Sequence, residues 1–383
     1  MTAAEEDISP SRLRERADAL PAITEVRDAA GTLPLFLVGG VVRDLILGLG
    51  RLDLDIAAEA MPADVAAFAR RLDPAARVHE RFGTATANVA GTTVDLAATR
   101  AELYEEPGAL PSVRPASLAD DLSRRDFTIN AMALSLTGEA RLVDPYGGLA
   151  DLRAGKLRAL HERSFVDDPT RALRAARYAS RLDLVLDPET ESALRAADLG
   201  TVSAERVEAE LRRLAREPDP ARALGLLVRW GLVEADVDLA RAVLEVRDRP
   251  AWAGLADTAP VLLAGGAVEA GRYRAPDAIG TARELAVIDS SLPPSELAAK
   301  ARGHGGVELV VARALGATWL DRYVAEWRAV RLEIDGNDLL DAGVPEGPAI
   351  GRGLAAALAA KLDGRVEGRE QELAAALEAA RSP

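Results

Sequence analysis

Two aspartates stand two residues apart in an apolar stretch of the chain, FLVGGVVRDLILGLGRLDLDIA at residues 36–57. The pattern predicts a strand, a glycine pair, a short helix and a second strand that carries Asp53 and Asp55. Side chains at positions i and i+2 of a strand share one face, so both carboxylates are predicted to point the same way. Like charges this close repel each other unless a cation lies between them, and Mg²⁺ is typically held by one or two carboxylates together with substrate phosphates. The pair therefore predicts a divalent-metal site, against the alternative of a solvated acidic face.

A third carboxylate, Asp95, lies in TTVDLAAT (92–99), which has the composition and alternation of another strand. From the residues alone, Asp95 either completes a metal-binding triad with Asp53 and Asp55 or is a charge at a sheet edge.

The glycine pair Gly39-Gly40 separates the first strand from the predicted helix. Such a pair either marks a tight turn or leaves free backbone N–H groups at the helix start, where the helix dipole favours a phosphate. Arg43, in the first turn, would then add a forked contact to phosphate oxygens. Asp44 caps the helix or pairs with Arg43.

A second motif, SRRDFTIN (123–130), places Arg125 and Asp126 just before an ordered element. Asp126 either caps a helix or, with Arg125 on a triphosphate, binds a ribose hydroxyl.

Four arginines are spaced by three, three and four residues in DDPTRALRAARYASRL (167–182). Asp168 before Pro169 predicts a helix start, and residues at these spacings share one helix face. The opposite positions are small and apolar, which predicts close packing. The arginines form either a solvated face with ion pairs or, with Asp168 and Arg171 offering an acceptor and a donor, a surface that reads the Watson–Crick edge of a base. The arginines are Arg171, Arg174, Arg177 and Arg181.

The amino-acid composition limits the classes of protein to which this chain can belong. A chain of 383 residues is expected to form two to four domains. The absence of cysteine excludes disulfides, thiolate metal sites and cysteine nucleophiles, and three histidines argue against a histidine-rich metal centre. The charged N-terminus does not resemble a signal peptide, and no apolar run reaches the roughly 18 residues of a membrane span. We therefore expect a cytoplasmic protein without a membrane partner.

The net charge of −14 argues at first against a nucleic-acid partner. Residues 122–181, however, hold 11 Arg or Lys and 7 Asp or Glu, a local balance of +4. Exposed charges more than about 10 Å apart are largely screened at moderate salt, so a local basic face can still bind phosphate.

Secondary-structure patterns divide the chain into an α+β part and a helical part. Residues 104–117 contain three prolines and predict a long loop, and from about residue 150 only helical patterns are found. Helices are predicted at 11–30, 41–48 and 61–72, and strands at 35–38, 52–58, 77–82, 84–90 and 92–99.

Five motifs, taken in order, resemble those of the class II tRNA nucleotidyltransferases and bacterial poly(A) polymerases, within the polymerase-β-like nucleotidyltransferase superfamily. They are GGVVRD (39–44), DLD (53–55), RRDFTIN (124–130), DDPTRALRAAR (167–177) and SAERVEAEL (203–211). The segment 105–122 is similar to the family's flexible loop, and 336–354 to its C-terminal segment. One departure is Asp167, where the family usually has Glu.

The resemblance implies an α+β nucleotidyltransferase head, with a small mixed sheet and helices, followed by an all-α neck, body and tail. The implied bounds are 1–150 for the catalytic head, 151–215 for a neck that recognises the base, 216–330 for the body and 331–383 for a tail that binds tRNA. It further implies Mg²⁺ on Asp53 and Asp55, with Asp95 as a third catalytic residue. The implied nucleotide-binding residues are Gly39, Gly40, Arg43, Arg125, Asp126, Asp168, Arg171, Arg174 and Arg177.

The activity implied is template-free addition of CCA to tRNA 3′ ends from CTP and ATP, by two-metal transfer that releases pyrophosphate. The expected partners are the tRNA acceptor arm and 3′ end, CTP and ATP, with no obligate protein partner. The alternatives are an enzyme that adds only the terminal A, a poly(A) polymerase and a catalytically silent RNA-binding protein. A C-terminus that is not basic disfavours the poly(A) polymerase. In the family, enzymes that add only CC tend to lack the flexible loop, which this chain has.

Overall fold

The computed structural model describes residues 8–49 and 53–381. Leu52, the first residue of the strand predicted over 52–58, falls outside these residues. The described chain divides into two compact units, one formed by residues up to Leu232 with Ala270–Tyr273 and the other by Val233–Glu269 and Arg274 onward.

The described residues of the first unit form strands β1 Leu35–Val38, β2 Leu54–Ala58, β3 Arg77–His79, β4 Thr84–Val89, β5 Thr92–Ala98, β6 Arg100–Leu103, β7 Ser112–Pro115, β8 Ala133–Ser135 and β9 Leu142–Val143. Seven of these described strands make a mixed sheet in the order β3-β4-β5-β2-β1-β8-β9. Strands β2 and β5 are parallel, and the other neighbouring pairs are antiparallel. A separate antiparallel hairpin is formed by β6 and β7.

Both faces of the sheet are covered, which explains the uninterrupted apolar run of β1. Leu35 and Leu37 face a large core with Phe68, whereas Phe36 and Val38 face a smaller one. A strand buried on both faces needs apolar residues at every position. The helices of this unit are α1 Pro10–Asp18, α2 Ile23–Ala29, α3 Gly40–Leu47, α4 Pro62–Leu72, α5 Leu118–Ser123, α6 Gly148–Arg153, α7 Ser164–Asp167, α8 Thr170–Leu182, α9 Pro188–Leu194, α10 Ala204–Leu214 and α11 Pro220–Arg229.

The second unit is almost entirely helical over its described residues. One hydrophobic core lies around Trp252, Trp319 and Trp327, and another lies around Leu339 and Ala376. Its helices are α12 Val237–Arg247, α13 Thr258–Gly265, α14 Ile279–Ala286, α15 Pro294–Ala301, α16 Gly306–Ala314, α17 Leu320–Ala325, α18 Gly336–Asp341, α19 Pro348–Leu362 and α20 Gly368–Arg381. Nowhere in 8–49 or 53–381 is a helix both long and apolar enough to cross a membrane.

Several predictions of secondary structure were wrong in detail. The helix predicted over 11–30 is two helices, α1 and α2, because Pro21 cannot donate the hydrogen bond that would continue the first. The strand predicted over 77–82 ends at His79 and continues as a 3₁₀ turn, Glu80–Phe82.

The predicted loop 104–117 contains strand β7, so the irregular parts are 104–111 and 116–117. Strands also do not stop at residue 150, because the short pairs β10 Lys156–Leu157 with β11 Val185–Leu186, and β12 Glu269–Ala270 with β13 Tyr273–Arg274, follow. Two-residue strands carry too little alternation to be detected in a sequence.

Candidate active site

A cavity of about 1010 Å³ opens in the first unit. Twelve residues for which the sequence predicts a catalytic or nucleotide-binding role all line this cavity, although they come from five separate stretches of the chain. They are Gly39, Gly40, Arg43, Asp53, Asp55, Asp95, Arg125, Asp126, Asp168, Arg171, Arg174 and Arg177.

The acidic part of the cavity is built by the two parallel strands. Asp55 on β2 is paired in register with Asp95 on β5, and paired residues of parallel strands project from the same face. Strand β2 begins at Leu54, so Asp53 lies just before the strand and not within it as the sequence predicted. The Asp53 carbonyl accepts a hydrogen bond from the Asp55 N–H at 3.1 Å, which keeps the two residues together.

The Asp55 carboxylate is exposed to the cavity, yet the nearby positive charges only partly offset the effects that disfavour its ionised form. The protein around it removes water and raises the pKa of its carboxyl to about 6, and the neighbouring carboxylates of Asp95 and Asp53 act in the same direction. The guanidinium groups of Arg125 and Arg174 oppose this increase in pKa. An added cation would relieve the remaining repulsion.

The donor set fits a hard divalent cation that keeps part of its shell for substrate. Within the described residues, no three Asp, Glu or His side chains form a complete ion site. Mg²⁺ is commonly bound by one or two carboxylates plus substrate phosphates, so Asp53 and Asp55 suffice as protein ligands. Asp95 also accepts a hydrogen bond from Thr86 Oγ1 at 2.6 Å, which orients its carboxylate.

Gly39 is favoured by its backbone conformation and lies close to Arg125. Its φ of +77° lies in the region that favours glycine, and a Cβ there would be 2.6 Å from Arg125 Nη1. Helix α3 begins at Gly40, directly beside that guanidinium. The arrangement puts a cation over the start of a helix, where an anion is favoured.

Arg43 is almost fully buried and is held by protein groups. Its guanidinium donates to Asn130 Oδ1 at 2.6 Å and to Asp44 Oδ1 at 2.7 Å. It lies 5.2 Å from the centre of the Tyr178 ring. Of the two roles that the sequence left open for Asp44, the structure shows pairing with Arg43.

The two arginines of the RRD sequence at residues 124–126 are held in place by acidic side chains. Asp121 accepts from Arg124 at 2.7 Å and from Arg125 at 3.0 Å, and Arg124 also pairs with Glu102 at 2.6 Å. The two arginines pull the pKa of the Asp121 carboxyl below its usual value, against the opposing effect of its burial.

Asp126 caps no α-helix. Its buried carboxylate accepts from Arg174 at 2.7 Å, from Asn130 Nδ2 at 3.0 Å and from the Phe127 N–H at 2.9 Å. Burial opposes its ionisation, but Arg174 and Asn130 outweigh that effect and lower the pKa of Asp126 to about 2. In this structure Asp126 therefore serves as the counter-ion of Arg174.

Helix α8 has the close packing that its small residues predict. Ala172, Leu173, Ala175, Ala176 and Ala179 are all buried. The opposite face turns four arginines toward the cavity.

Asp168 and Arg171 both line the cavity, but each is held by other protein groups. Asp168 Oδ1 accepts from Thr170 Oγ1 at 2.6 Å, from the Thr170 N–H at 3.1 Å and from Arg206 at 3.0 Å. Arg171 donates to Ser164 Oγ at 2.8 Å and to the Arg124 carbonyl at 2.7 Å. The acceptor and the donor are thus separately oriented.

Sequence reasoning missed the groups that hold the other arginines. Arg177 pairs with the buried Glu210 and Glu217, each at 2.9 Å, and Arg181 approaches Glu217 at 3.6 Å. The Tyr178 ring lies within 6.0 Å of Arg174, Arg177 and Arg181. Glu210 lies in the SAERVEAEL motif. The acidic side chains of that motif were the sequence feature that could have indicated partners for the arginines.

Comparison with known proteins relates the part of the chain that forms this site to a described family. Residues 35–158 match the family described as the poly A polymerase head domain. The sheet, the glycine turn and the paired aspartates therefore lie in a head of the nucleotidyltransferase class.

Curated relatives extend the match beyond the head. An A-adding tRNA nucleotidyltransferase of Halalkalibacterium halodurans is 41% identical over 206 residues, which are 50% of this chain and 48% of that protein. A CC-adding tRNA nucleotidyltransferase of Deinococcus radiodurans is 36% identical over 342 residues, 86% of this chain and 85% of that protein. A CCA-adding enzyme of Latilactobacillus sakei is 31% identical over 375 residues, 89% and 92% of the two chains. The chain thus spans about half the length of the first of these relatives.

Solved structures of related proteins superpose on nearly the whole chain. The Thermotoga maritima CCA-adding enzyme complexed with tRNA superposes with a TM-score of 0.76 and 26% identity, covering 96% of this chain and 98% of that one. A complex of CCA-adding enzyme with CTP gives a TM-score of 0.79 and 26% identity, covering 97% and 98%. The chain belongs to the class II CCA-adding enzyme and poly(A) polymerase nucleotidyltransferase family. The predicted fold class is confirmed.

Proposed function

We propose that this protein adds CCA to the 3′ end of tRNA from CTP and ATP, without a nucleic-acid template and with release of pyrophosphate. One observation carries the proposal: a single cavity brings the aspartate pair together with a separately oriented acceptor and donor, Asp168 and Arg171. An enzyme that reads a base with protein groups needs both features at one place. The four-part division into head, neck, body and tail remains part of this proposal.

Asp53 and Asp55 would hold Mg²⁺, with Asp95 beside Asp55 as a further oxygen donor. When bound, Mg²⁺ supplies the positive charge that favours loss of the proton from the RNA 3′-hydroxyl and stabilises the leaving pyrophosphate. Arg125, fixed over the start of α3, would bind the triphosphate. Arg174 and Arg177 would support the nucleotide from α8.

The reaction forms a bond between the tRNA 3′-oxygen and the α-phosphorus and breaks the bond from that phosphorus to pyrophosphate. The protein's contribution is alignment and charge stabilisation. The buried acids that hold Arg124, Arg125, Arg174 and Arg177 fix these cations before the substrate arrives.

Base selection follows from hydrogen-bond chemistry. Cytosine and adenine both present an amino donor next to a ring-nitrogen acceptor. The Asp168 carboxylate can accept from the amino group, and Arg171 can donate to the ring nitrogen. Guanine and uracil present a carbonyl and a ring N–H at the corresponding positions, so GTP and UTP would face like groups.

A second candidate is an enzyme that adds only the terminal A. It is favoured by the match to the A-adding relative from Halalkalibacterium halodurans, at 41% identity. Both candidates use the same site, and they differ in whether CTP is accepted.

Incorporation of labelled nucleotides separates these candidates. The protein is incubated with tRNA lacking CCA, tRNA ending in C and tRNA ending in CC, each with labelled CTP, ATP, GTP or UTP. We expect CTP to be added to the first two and ATP to the third. ATP addition to CC ends without any CTP addition would establish the A-adding candidate, and incorporation into none would refute the proposal.

A further inference from the structure

Tyr178 on α8 has guanidinium groups around its ring, and its hydroxyl is not explained by its packing. The ring packs edge to face against Phe127, with 5.8 Å between the ring centres. Tyr178 is 7% exposed and lines the cavity. Aromatic packing and cation–π contacts account for the ring, but neither requires the hydroxyl. The guanidinium carbons lie between 5.2 and 6.0 Å from the ring centre and belong to Arg43, Arg174, Arg177 and Arg181.

The Tyr178 hydroxyl accepts a hydrogen bond but, within the described part of the chain, donates none. Arg174 Nη2 donates to the hydroxyl oxygen at 2.9 Å, and the same nitrogen pairs with Asp126 Oδ2 at 2.7 Å. A guanidinium has no acceptor, so none of the surrounding arginines can receive the hydroxyl hydrogen. Buried hydroxyl groups nearly always have an acceptor. The Tyr178 O–H is therefore a donor available to a molecule in the cavity.

The position of Tyr178 along α8 indicates which part of a nucleotide it can contact. Arg171, the proposed donor to the base, precedes it on the same helix. At about 1.5 Å per residue, the two positions are about 10 Å apart along the helix axis, too far for both to contact one base edge. The parts of a nucleotide beyond its base are the ribose and the phosphates, and the oxygens of both accept hydrogen bonds.

We propose that Tyr178 is a further nucleotide-binding residue, whose hydroxyl donates a hydrogen bond to a ribose or phosphate oxygen of the bound nucleoside triphosphate. The inference rests on the proposed function, because it places a nucleotide in this cavity. Arg174 fixes the hydroxyl oxygen and leaves the O–H for the substrate. Ribose and phosphates are common to CTP and ATP, so the contact strengthens the binding of both nucleotides alike.

Tyr178→Phe is the sharpest test, because it removes the hydroxyl and keeps the ring among the arginines. The matched control is Tyr323→Phe, since Tyr323 has the same exposed fraction of 7% but lies in a hydrophobic core of the second unit. The first quantities to measure are kcat and KM for ATP on tRNA ending in CC and for CTP on tRNA lacking CCA. The second are the dissociation constants of ATP, 2′-deoxyATP, 3′-deoxyATP and adenosine, from titration calorimetry.

For Tyr178→Phe we expect KM to increase about tenfold, by the same factor for ATP and CTP, which is the size of effect for one hydrogen bond to a substrate. The kcat values should stay within about twofold of the wild type, because a contact made equally in the ground state and the transition state changes KM alone. Tyr323→Phe should keep the wild-type kcat and KM.

The dissociation constants identify which oxygen accepts. If a ribose hydroxyl accepts, Tyr178→Phe should weaken the binding of ATP about tenfold and leave unchanged the binding of the analogue that lacks that hydroxyl. If a phosphate accepts, the binding of ATP and of both deoxy analogues should weaken alike, and that of adenosine should not change.

A hydroxyl that acts only by holding Arg174 would give a different result. In the background Asp126→Asn/Arg174→Leu, which lacks the guanidinium, adding Tyr178→Phe should still weaken the binding of ATP. No further loss would show that the hydroxyl acts through Arg174 and would overturn the direct contact. If this background does not fold, as judged by thermal unfolding, or binds no ATP, the comparison of the four ligands decides.

Wild-type KM values for Tyr178→Phe, or an equal loss of affinity for all four ligands, would also overturn the contact. A wild-type protein that neither binds nor incorporates a nucleotide would instead refute the proposed function, so the two failures are distinguishable.

Discussion

The acidic strands and the arginine helix face the same cavity but are built in opposite ways. At β2 and β5, carboxylates lie beside carboxylates, and burial, together with Asp95 and Asp53, raises the pKa of Asp55. On α8, Arg174 and Arg177 each have a buried acidic partner, Asp126 for the first and Glu210 and Glu217 for the second. The carboxylates of the first region repel one another, whereas the arginines of the second region are paired with buried acids.

This difference in charge indicates which kind of ligand each region is suited to bind. A cluster of carboxylates that repel one another gains stability when a cation arrives, so the strand region is suited to a metal bound together with the substrate. Arginines already held by acids need no reorganisation to meet a nucleotide, which is how preorganised groups stabilise a transition state. Substitutions in the strand region should therefore cost activity, and substitutions in the partners of the arginines should cost stability.

The largest effect is expected for Asp53→Asn/Asp55→Asn. Removing both charges should lower nucleotide incorporation by more than about a thousandfold, because the proposed Mg²⁺ site would lose two of its carboxylates. The melting temperature should stay the same or increase, since the carboxylates repel each other in the folded state. Incorporation assays and calorimetry measure the two quantities, and a filter-binding assay should show tRNA binding retained.

The control is Asp64→Asn, an exposed acid in the first turn of α4 of the same unit. It should keep full activity. A double variant that incorporates nucleotides at the wild-type rate would remove these aspartates from catalysis.

On the arginine side, Asp126→Asn should reduce stability in a pH-dependent way. The pKa of Asp126 is about 2 in the folded protein, against an ordinary value of 3.8 for an aspartate side chain. Because the folded-state pKa is the lower one, the ionised group stabilises the fold above pH 4, and this contribution is lost as the pH falls toward 2. At 1.36 kcal/mol per pKa unit the contribution is about 2 kcal/mol.

Urea unfolding at pH 6 and pH 3 measures this contribution, fitted with two transitions because the chain has two compact units. The difference between wild type and Asp126→Asn should shrink at pH 3. Asp238→Asn, which breaks an exposed pair with Arg241, should change the free energy of unfolding by less than about 1 kcal/mol at either pH. A difference for Asp126→Asn that does not depend on pH would contradict the charged pair with Arg174.

The sequence predicted the cavity residues better than it predicted their partners. Chemistry-bearing residues such as Asp55 and Arg171 stand in short local patterns, a strand alternation and a helical spacing, which can be recognised without knowing the fold. Their partners are distant in the chain: Asp126 and Arg174 are 48 residues apart, and Gly108 and Arg206 are 98 apart. Single-sequence periodicity contains no information about such pairs.

Errors in the elements have a similar origin. The pairing of β7 with β6 depends on a hairpin that closes around a loop rich in proline and glycine, where composition predicts irregular structure. Asp53 was predicted inside a strand because its neighbours alternate, but the hydrogen-bonded strand begins one residue later. Strand ends are set by the partner strand, which the local sequence does not show.

The smallest effect concerns Asp95, for which a metal ligand and an edge charge were both open from the sequence. We propose that Asp95 is a ligand whose orientation is set by the Thr86 hydroxyl, which donates to its Oδ1 at 2.6 Å. Loss of such a supporting hydrogen bond typically weakens metal binding by about 10- to 100-fold. Because Asp95 would be one ligand of several, Thr86→Val should be at the low end, with about tenfold more Mg²⁺ needed for half-maximal incorporation and a nearly unchanged rate at saturating Mg²⁺.

Thr84→Val is the matched control, because Thr84 lies on the same strand two residues away and is paired in register with Ala97 and not with an acid. Its Mg²⁺ dependence should equal that of the wild type. Asp95→Asn should shift the dependence in the same direction as Thr86→Val and further. If neither Asp95→Asn nor Thr86→Val changes the Mg²⁺ requirement, Asp95 is not a metal ligand, and the acidic region acts through Asp53 and Asp55 alone.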